Sequence, residues 1–237
     1  MTLLFSFIWG LINVVVLFLS IRFYMPKLLL KYAEQYKESG TDINSESILL
    51  TTKKQKTCFI YVSFIIMAII LSAICGYTSL VRQDILINMF KMILSLCISS
   101  IISLTDLILY TIPNKCVLIL FIGRIICLIP EIFLFKDTWL LGLVNCFIAS
   151  LASVLFLLLT SKITHGGIGF GDIKLFGALG FLCGVRAIAY TLIFSFFLCS
   201  AVSVVLLIAK KKKLKDGLPL GPFVWLGFAL SIIFGLC

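Results

Sequence analysis

Long apolar runs, separated by short charged loops, limit what this chain can fold into more than any other feature. Eight can be drawn: Leu3–Ile21, Cys58–Leu80, Ile85–Thr105, Cys116–Phe135, Trp139–Thr160, Ile173–Gly184, Ala187–Ala209 and Leu218–Leu236. Most hold about twenty residues, which as helix cover the roughly 30 Å of a bilayer's hydrocarbon. The runs do not alternate apolar and polar positions, so a membrane barrel is excluded. In hydrocarbon every backbone N–H and C=O must be bonded internally, which leaves helices. With 62% hydrophobic residues and a mean hydropathy of +1.20, the composition is not that of a soluble domain. The expected fold is all-α: a multi-pass transmembrane bundle of about eight helices in the cell membrane, with lipid around it. The first run has no basic residue before it and Arg22 after it, the reverse of a secretory signal, so it reads as a retained helix.

The net charge of +10 then serves topology. The Arg22–Thr57 loop carries seven basic residues and Lys210–Gly217 carries five. If eight helices alternate, Lys115, Lys162 and Lys174 join them, placing fifteen of the twenty Lys and Arg on one face. That face reads as cytoplasmic, with both termini outside. Basic residues spread between spans do not form a nucleic-acid surface, so no nucleic-acid partner is expected. The nine cysteines include no C-x-x-C pair and lie mostly inside apolar runs. They read as small buried hydrophobes, and no metal or cofactor is expected.

The sixth run is short. Its twelve residues rise about 18 Å, less than the hydrocarbon thickness. A re-entrant turn would leave the Lys210–Lys213 cluster outside, against the charge rule, so a short crossing helix is expected, entered from a glycine-rich stretch, "GGIGFGD". Irregular backbone at that depth needs protein or a water-filled cavity around it.

The acidic residues sort by position. Glu34, Glu38, Asp42 and Glu46 fall in the first loop, Asp84, Glu131 and Asp137 near the outer face, and Asp216 beside the lysine run. Asp106 and Asp172 remain, at the cytoplasmic ends of the third and sixth runs. Ionisable groups there are costly and usually functional. Two carboxyl groups brought together share one proton, which allows one to polarise a carbonyl while the other activates water. The proton belongs to the pair. Taken singly, each aspartate also fits a helix cap or a solvated interfacial group.

The flanking residues sharpen this. "TDLILYTIPNK" places Pro113 and Asn114 seven and eight positions after Asp106, and Gly169, Phe170, Gly171 and Asp172 follow as G-x-G-D. "LPLGPFVWLG" closes the series at Leu218–Gly227. These three ordered motifs resemble the type IV prepilin peptidases, membrane aspartyl proteases, over the stretch from Asp106 to the end. The resemblance implies a catalytic pair, Asp106 and Asp172, with Gly169, Phe170 and Gly171 as active-site loop. It implies prepilin-like protein substrates, cut after a short basic leader at the cytoplasmic membrane face, without metal. It also divides the chain into N-terminal helices, 1–105, with the basic loop at 22–57, and a peptidase core, 106–237. Many bacterial relatives carry two C-x-x-C pairs between the first two helices, in a zinc segment linked to N-methylation. The Arg22–Thr57 loop contains no cysteine, so methyl transfer is not expected here.

Other residues carry less. Lys174 fits either a contact to substrate or electrostatic tuning of Asp172, or a snorkelling interfacial lysine. His165 reads as an interfacial loop residue. Arg124, deep in its run, calls for a partner such as Glu131, while Lys91 can snorkel. Two other functions share these features: an intramembrane G-x-G-D protease cutting within helices, and a transporter using the aspartates as ion or proton carriers, which predicts inverted repeats.

Overall fold

The computed structural model describes residues 69–71, 73–75, 77–78, 86–164, 166–209 and 218–235. The Leu3–Ile21 run, the Arg22–Thr57 loop, His165 and the Lys210–Gly217 segment lie outside the described residues, as does most of Cys58–Leu80. Beyond the helical residues within 69–78, six helices follow in order: α1 (Leu86–Leu109), α2 (Asn114–Leu134), α3 (Trp139–Ile163), α4 (Phe170–Cys183), α5 (Val185–Ile208) and α6 (Gly221–Ile233). Four of them, α1, α2, α3 and α5, are long and apolar enough to cross a membrane.

The helix ends explain where residues land. α1 does not stop at Thr105 but continues a turn past Asp106 to Leu109. It ends where Tyr110 turns left-handed, at φ 52°, and donates its N–H to the Asp106 carbonyl at 2.9 Å. A helix commonly ends this way, although the residue is usually glycine. Pro113, extended at φ −70° and ψ 122°, then opens α2. The 105/106 division drawn from the motifs therefore falls inside α1. A single residue, Gly184, joins α4 to α5, with φ 89° and ψ 178°, a backbone conformation that suits glycine.

The short helix sits at the centre. α4 has fourteen residues and packs against α1, α2, α3 and α5. From Leu175 to Gly180 every position is buried. Its sequence shows no apolar stripe because it has no outward face, apart from Lys174 and Phe170 at its entry. Two contacts bring α3 close. A Cβ on Gly180 would lie 3.0 Å from the Ala149 main chain, and Ser153 Oγ donates to the Phe176 carbonyl at 3.4 Å. Small residues that let backbones approach are the usual means of helix packing in lipid.

α1 is buried on two sides. Ile98, Ile101 and Ile102 pack with the α4 cluster, and Leu96 and Leu104 pack with Trp225, Phe228 and Ala229 of α6. Three of its hydroxyls bond back along their own helix: Ser99 to the Leu96 carbonyl, Ser100 to Cys97 and Thr105 to Ile102. Such back-bonding satisfies a polar atom where no water is present. By contrast α2, α3 and α5 expose Ile125, Phe133, Leu141, Phe147, Phe197 and Val205, the surface expected against lipid.

This packing yields a paired expectation. Gly180→Leu should lower the thermal midpoint of the purified protein, since overpacking costs typically about 1–3 kcal/mol. Gly142→Ala, where an added Cβ meets nothing within 4 Å, should leave the midpoint unchanged or slightly raised. Equal midpoints for both variants would contradict the close α3–α4 approach.

Candidate active site

Asp106 lies in the penultimate turn of α1, only 6% exposed. Its Oδ2 accepts the Gly221 N–H at 2.7 Å. Gly221 is the first residue of α6, so this N–H has no partner within its own helix. Pro222 follows it in the first turn, where proline loses nothing. The approach is so close that a Cβ on Gly221 would stand 2.9 Å from Asp106 Cβ and 3.0 Å from Oδ2. The end of α6 therefore supplies both a donor and the positive end of a helix dipole to this carboxyl group.

Asp172 occupies the first turn of α4. Its N–H bonds the Gly169 carbonyl at 3.1 Å, and its carboxylate in return accepts the Gly169 N–H. Oδ1 is buried and has no hydrogen-bond partner among the described residues. Asp106 is close enough for its charge to act on the Asp172 carboxyl group, and Cys199 of α5 is near the same group. Behind Asp172, Phe176 and Phe196 stack at 6.4 Å with planes 7° apart, closing the bundle beneath it. Thus α1, α4 and α6 bring the two predicted aspartates to one end of the bundle, each held through a main-chain N–H.

The loop that delivers Asp172 is itself tied down. Ser161 Oγ donates to the Ile168 carbonyl at 3.1 Å, and the Gly166 N–H bonds the Ser161 carbonyl at 2.8 Å. Gly166 takes φ 89°. The two glycines of the G-x-G-D motif do not need glycine's backbone freedom. Gly169 is extended at φ −71° and ψ 146°, and Gly171 is helical. Gly171 matters because a Cβ there would come 3.1 Å from Ile112. Ile112 belongs to the turn that follows Asp106, so this contact draws the two aspartate-bearing segments together. Phe170 is 74% exposed at the entry to α4, and Lys174 is exposed one turn on.

Sequence reasoning assigned Gly221, Cys199 and Ile112 no role. "LPLGPFVWLG" marked the region of Gly221, and its Gly-Pro pair is a signal for a helix start. Nothing comparable in the sequence singles out Cys199 or Ile112.

Asp106, which is buried, and Asp172, whose Oδ1 is buried, lie close enough to interact within an apolar helical bundle, an arrangement that fits a membrane peptidase of the aspartic type. Residues 92–204, which include both aspartates, match the type IV leader peptidase family. The chain is also 30% identical over 192 residues to the prepilin leader peptidase/N-methyltransferase of Bacillus subtilis (strain 168), covering 80% of this chain and 74% of that protein. No solved structure matches the chain significantly. The chain belongs to the type IV leader peptidase family and is a peptidase, and its apolar helices mark it as a membrane protein.

Gly221→Ala tests the α6 contact. The added methyl should push α6 from Asp106 and weaken the bond at Oδ2. A hydrogen bond to a charged group is worth about 1.5–3 kcal/mol, so peptidase activity should fall about tenfold or more. Unchanged activity in a folded variant would remove this contact from the site.

Proposed function

We propose that this protein cleaves the basic leader from prepilin-like precursors, of pilin, pseudopilin or competence-pilin type, with Asp106 and Asp172 as the catalytic pair. The observation that carries the reading is the convergence of Asp106, which is buried, and Asp172, whose Oδ1 is buried, at one end of the bundle, each oriented by a main-chain N–H. The name of the Bacillus subtilis relative supports the substrate class.

In this mechanism the pair shares one proton. The ionised carboxylate takes a proton from water as its oxygen attacks the scissile carbonyl carbon. The other carboxyl group gives its proton to the carbonyl oxygen. The tetrahedral species then collapses: the C–N bond breaks, the leaving nitrogen takes a proton from one carboxyl group, and a hydroxyl on the tetrahedral carbon returns its proton to the other carboxylate as the carbonyl reforms. The Gly221 and Gly169 bonds each fix one carboxyl group, and Asp172 Oδ1 is left without a hydrogen-bond partner among the described residues. Phe170, exposed beside Asp172, gives an apolar surface where a substrate helix can rest.

The site lies at the cytoplasmic face in this proposal. Basic-residue placement supports that, with about eight helices and both termini outside. α1, α3 and α5 alternate in direction with α2, α4 and α6, so Asp106, Asp172 and Gly221 share one membrane level. A basic leader would remain on that side while the apolar helix behind it entered the bilayer. The segment from 106 to 237 acts as the peptidase core.

Asp106→Asn and Asp172→Asn, each assayed in membranes with a prepilin-like substrate, should lose about a thousandfold or more of cleavage. Retained cleavage by either variant sinks the paired-carboxylate mechanism. A cut inside the substrate's apolar helix, in place of the leader boundary, would favour an intramembrane protease of other specificity. The relative's name includes N-methyltransferase, whereas the Arg22–Thr57 loop here has no cysteine. Mass spectrometry of the processed N-terminus should therefore show no added methyl group when this protein acts alone.

A further inference from the structure

A second polar site lies at the opposite end of α4. Arg124, midway along α2, is 1% exposed, and its Nη1 donates to Glu131 Oε1 at 2.8 Å. Lys91 of α1 pairs with the same oxygen. The expected Arg124–Glu131 pair is thus present, while Lys91 joins it instead of reaching outward. These three groups line a pocket of about 260 Å³ between α1, α2 and α3, together with Asn88, Gly142 and Asn145.

Two features of the pocket are unaccounted for. Lys91 and Arg124 carry two positive charges against one negative, and a buried charge needs compensation. Arg124 also has Nε and Nη2 buried with no hydrogen-bond partner among the described residues. An unmet buried donor is costly, and a charged one more so. These two N–H groups form one edge of the guanidinium, the fork that grips two oxygens of a single oxyanion. The exposed amides of Asn88 and Asn145 add further polar groups at the wall.

We propose that this pocket binds a phosphoryl oxyanion, as a lipid headgroup phosphate or as free phosphate. One such anion supplies the missing negative charge and occupies both idle donors of Arg124. The pocket lies near the C-terminal end of α4, where Cys183 contributes to its wall, and Asp172 lies at the N-terminal end. It is therefore separate from the aspartate site.

The test uses the purified full chain in detergent, with thermal unfolding as readout. Added inorganic phosphate and added phosphatidylglycerol are the two arms, with diacylglycerol as the phosphate-free lipid control. Saturating ligand should raise the midpoint by about 5 °C. A response to both assigns the phosphoryl group itself; a response to one arm alone assigns free phosphate or the headgroup. Arg124→Lys keeps a cation for Glu131 but loses the fork, and should weaken the response at least tenfold. Gly142→Leu adds bulk at the pocket wall, from a position where a Cβ meets nothing within 4 Å, and should also blunt the response. The proposal is overturned if neither phosphate nor phosphatidylglycerol shifts the midpoint, if diacylglycerol shifts it equally, or if both variants respond like the unsubstituted protein.

Discussion

A carboxyl group carried on a fourteen-residue helix can stay inside an apolar bundle only if protein surrounds that helix, and the rest of the architecture follows from this requirement. α4 is enclosed by α1, α2, α3 and α5. The outer helices take the contact with lipid, and α1, placed between α4 and α6, becomes the most enclosed of the four long helices. Gly180 and Ala149 let the sheath close tightly on one side, and the stacked Phe176 and Phe196 close it on another. Asp172 is thereby presented at a defined height from an element with little room to shift.

The bundle segregates its charged groups toward its two ends. At one end are the carboxyl groups of Asp106 and Asp172, each held by an amide N–H. Toward the other, Lys91 and Arg124 converge on Glu131. Between them the polar side chains of α1 are small hydroxyls, several of which fold back onto their own helix. Helix dipoles run between the ends, and α4 and α6 both point their positive N-termini toward the carboxyl groups.

The sequence exposes some of this and hides the rest, for physical reasons. Hydropathy located each described helix to within a few residues, because lipid demands long apolar helices. It stopped the third run at Thr105, whereas α1 continues through Asp106 to Leu109. A charge ends an apolar run, but the backbone ladder can continue through a charge that finds a partner. The Arg124–Glu131 pair was readable because seven positions are two turns of one helix. The participation of Lys91 was not, since it depends on how α1 and α2 pack. The G-x-G-D glycines suggested unusual backbone conformations. What Gly171 provides is space for Ile112, a contact between segments that no local pattern encodes.

The bond from Gly221 to Asp106 joins positions 115 residues apart, and its donor belongs to the main chain. Every amino acid except proline carries the same N–H, so no codon spells this interaction. Heredity can act on it only indirectly, through whatever keeps residue 221 bare of side chain and the start of α6 pointed at the carboxyl group. A survey of side chains would therefore record a glycine and overlook the amide. Direct proof that the N–H matters needs chemistry at the backbone itself, such as an ester in place of that one peptide link.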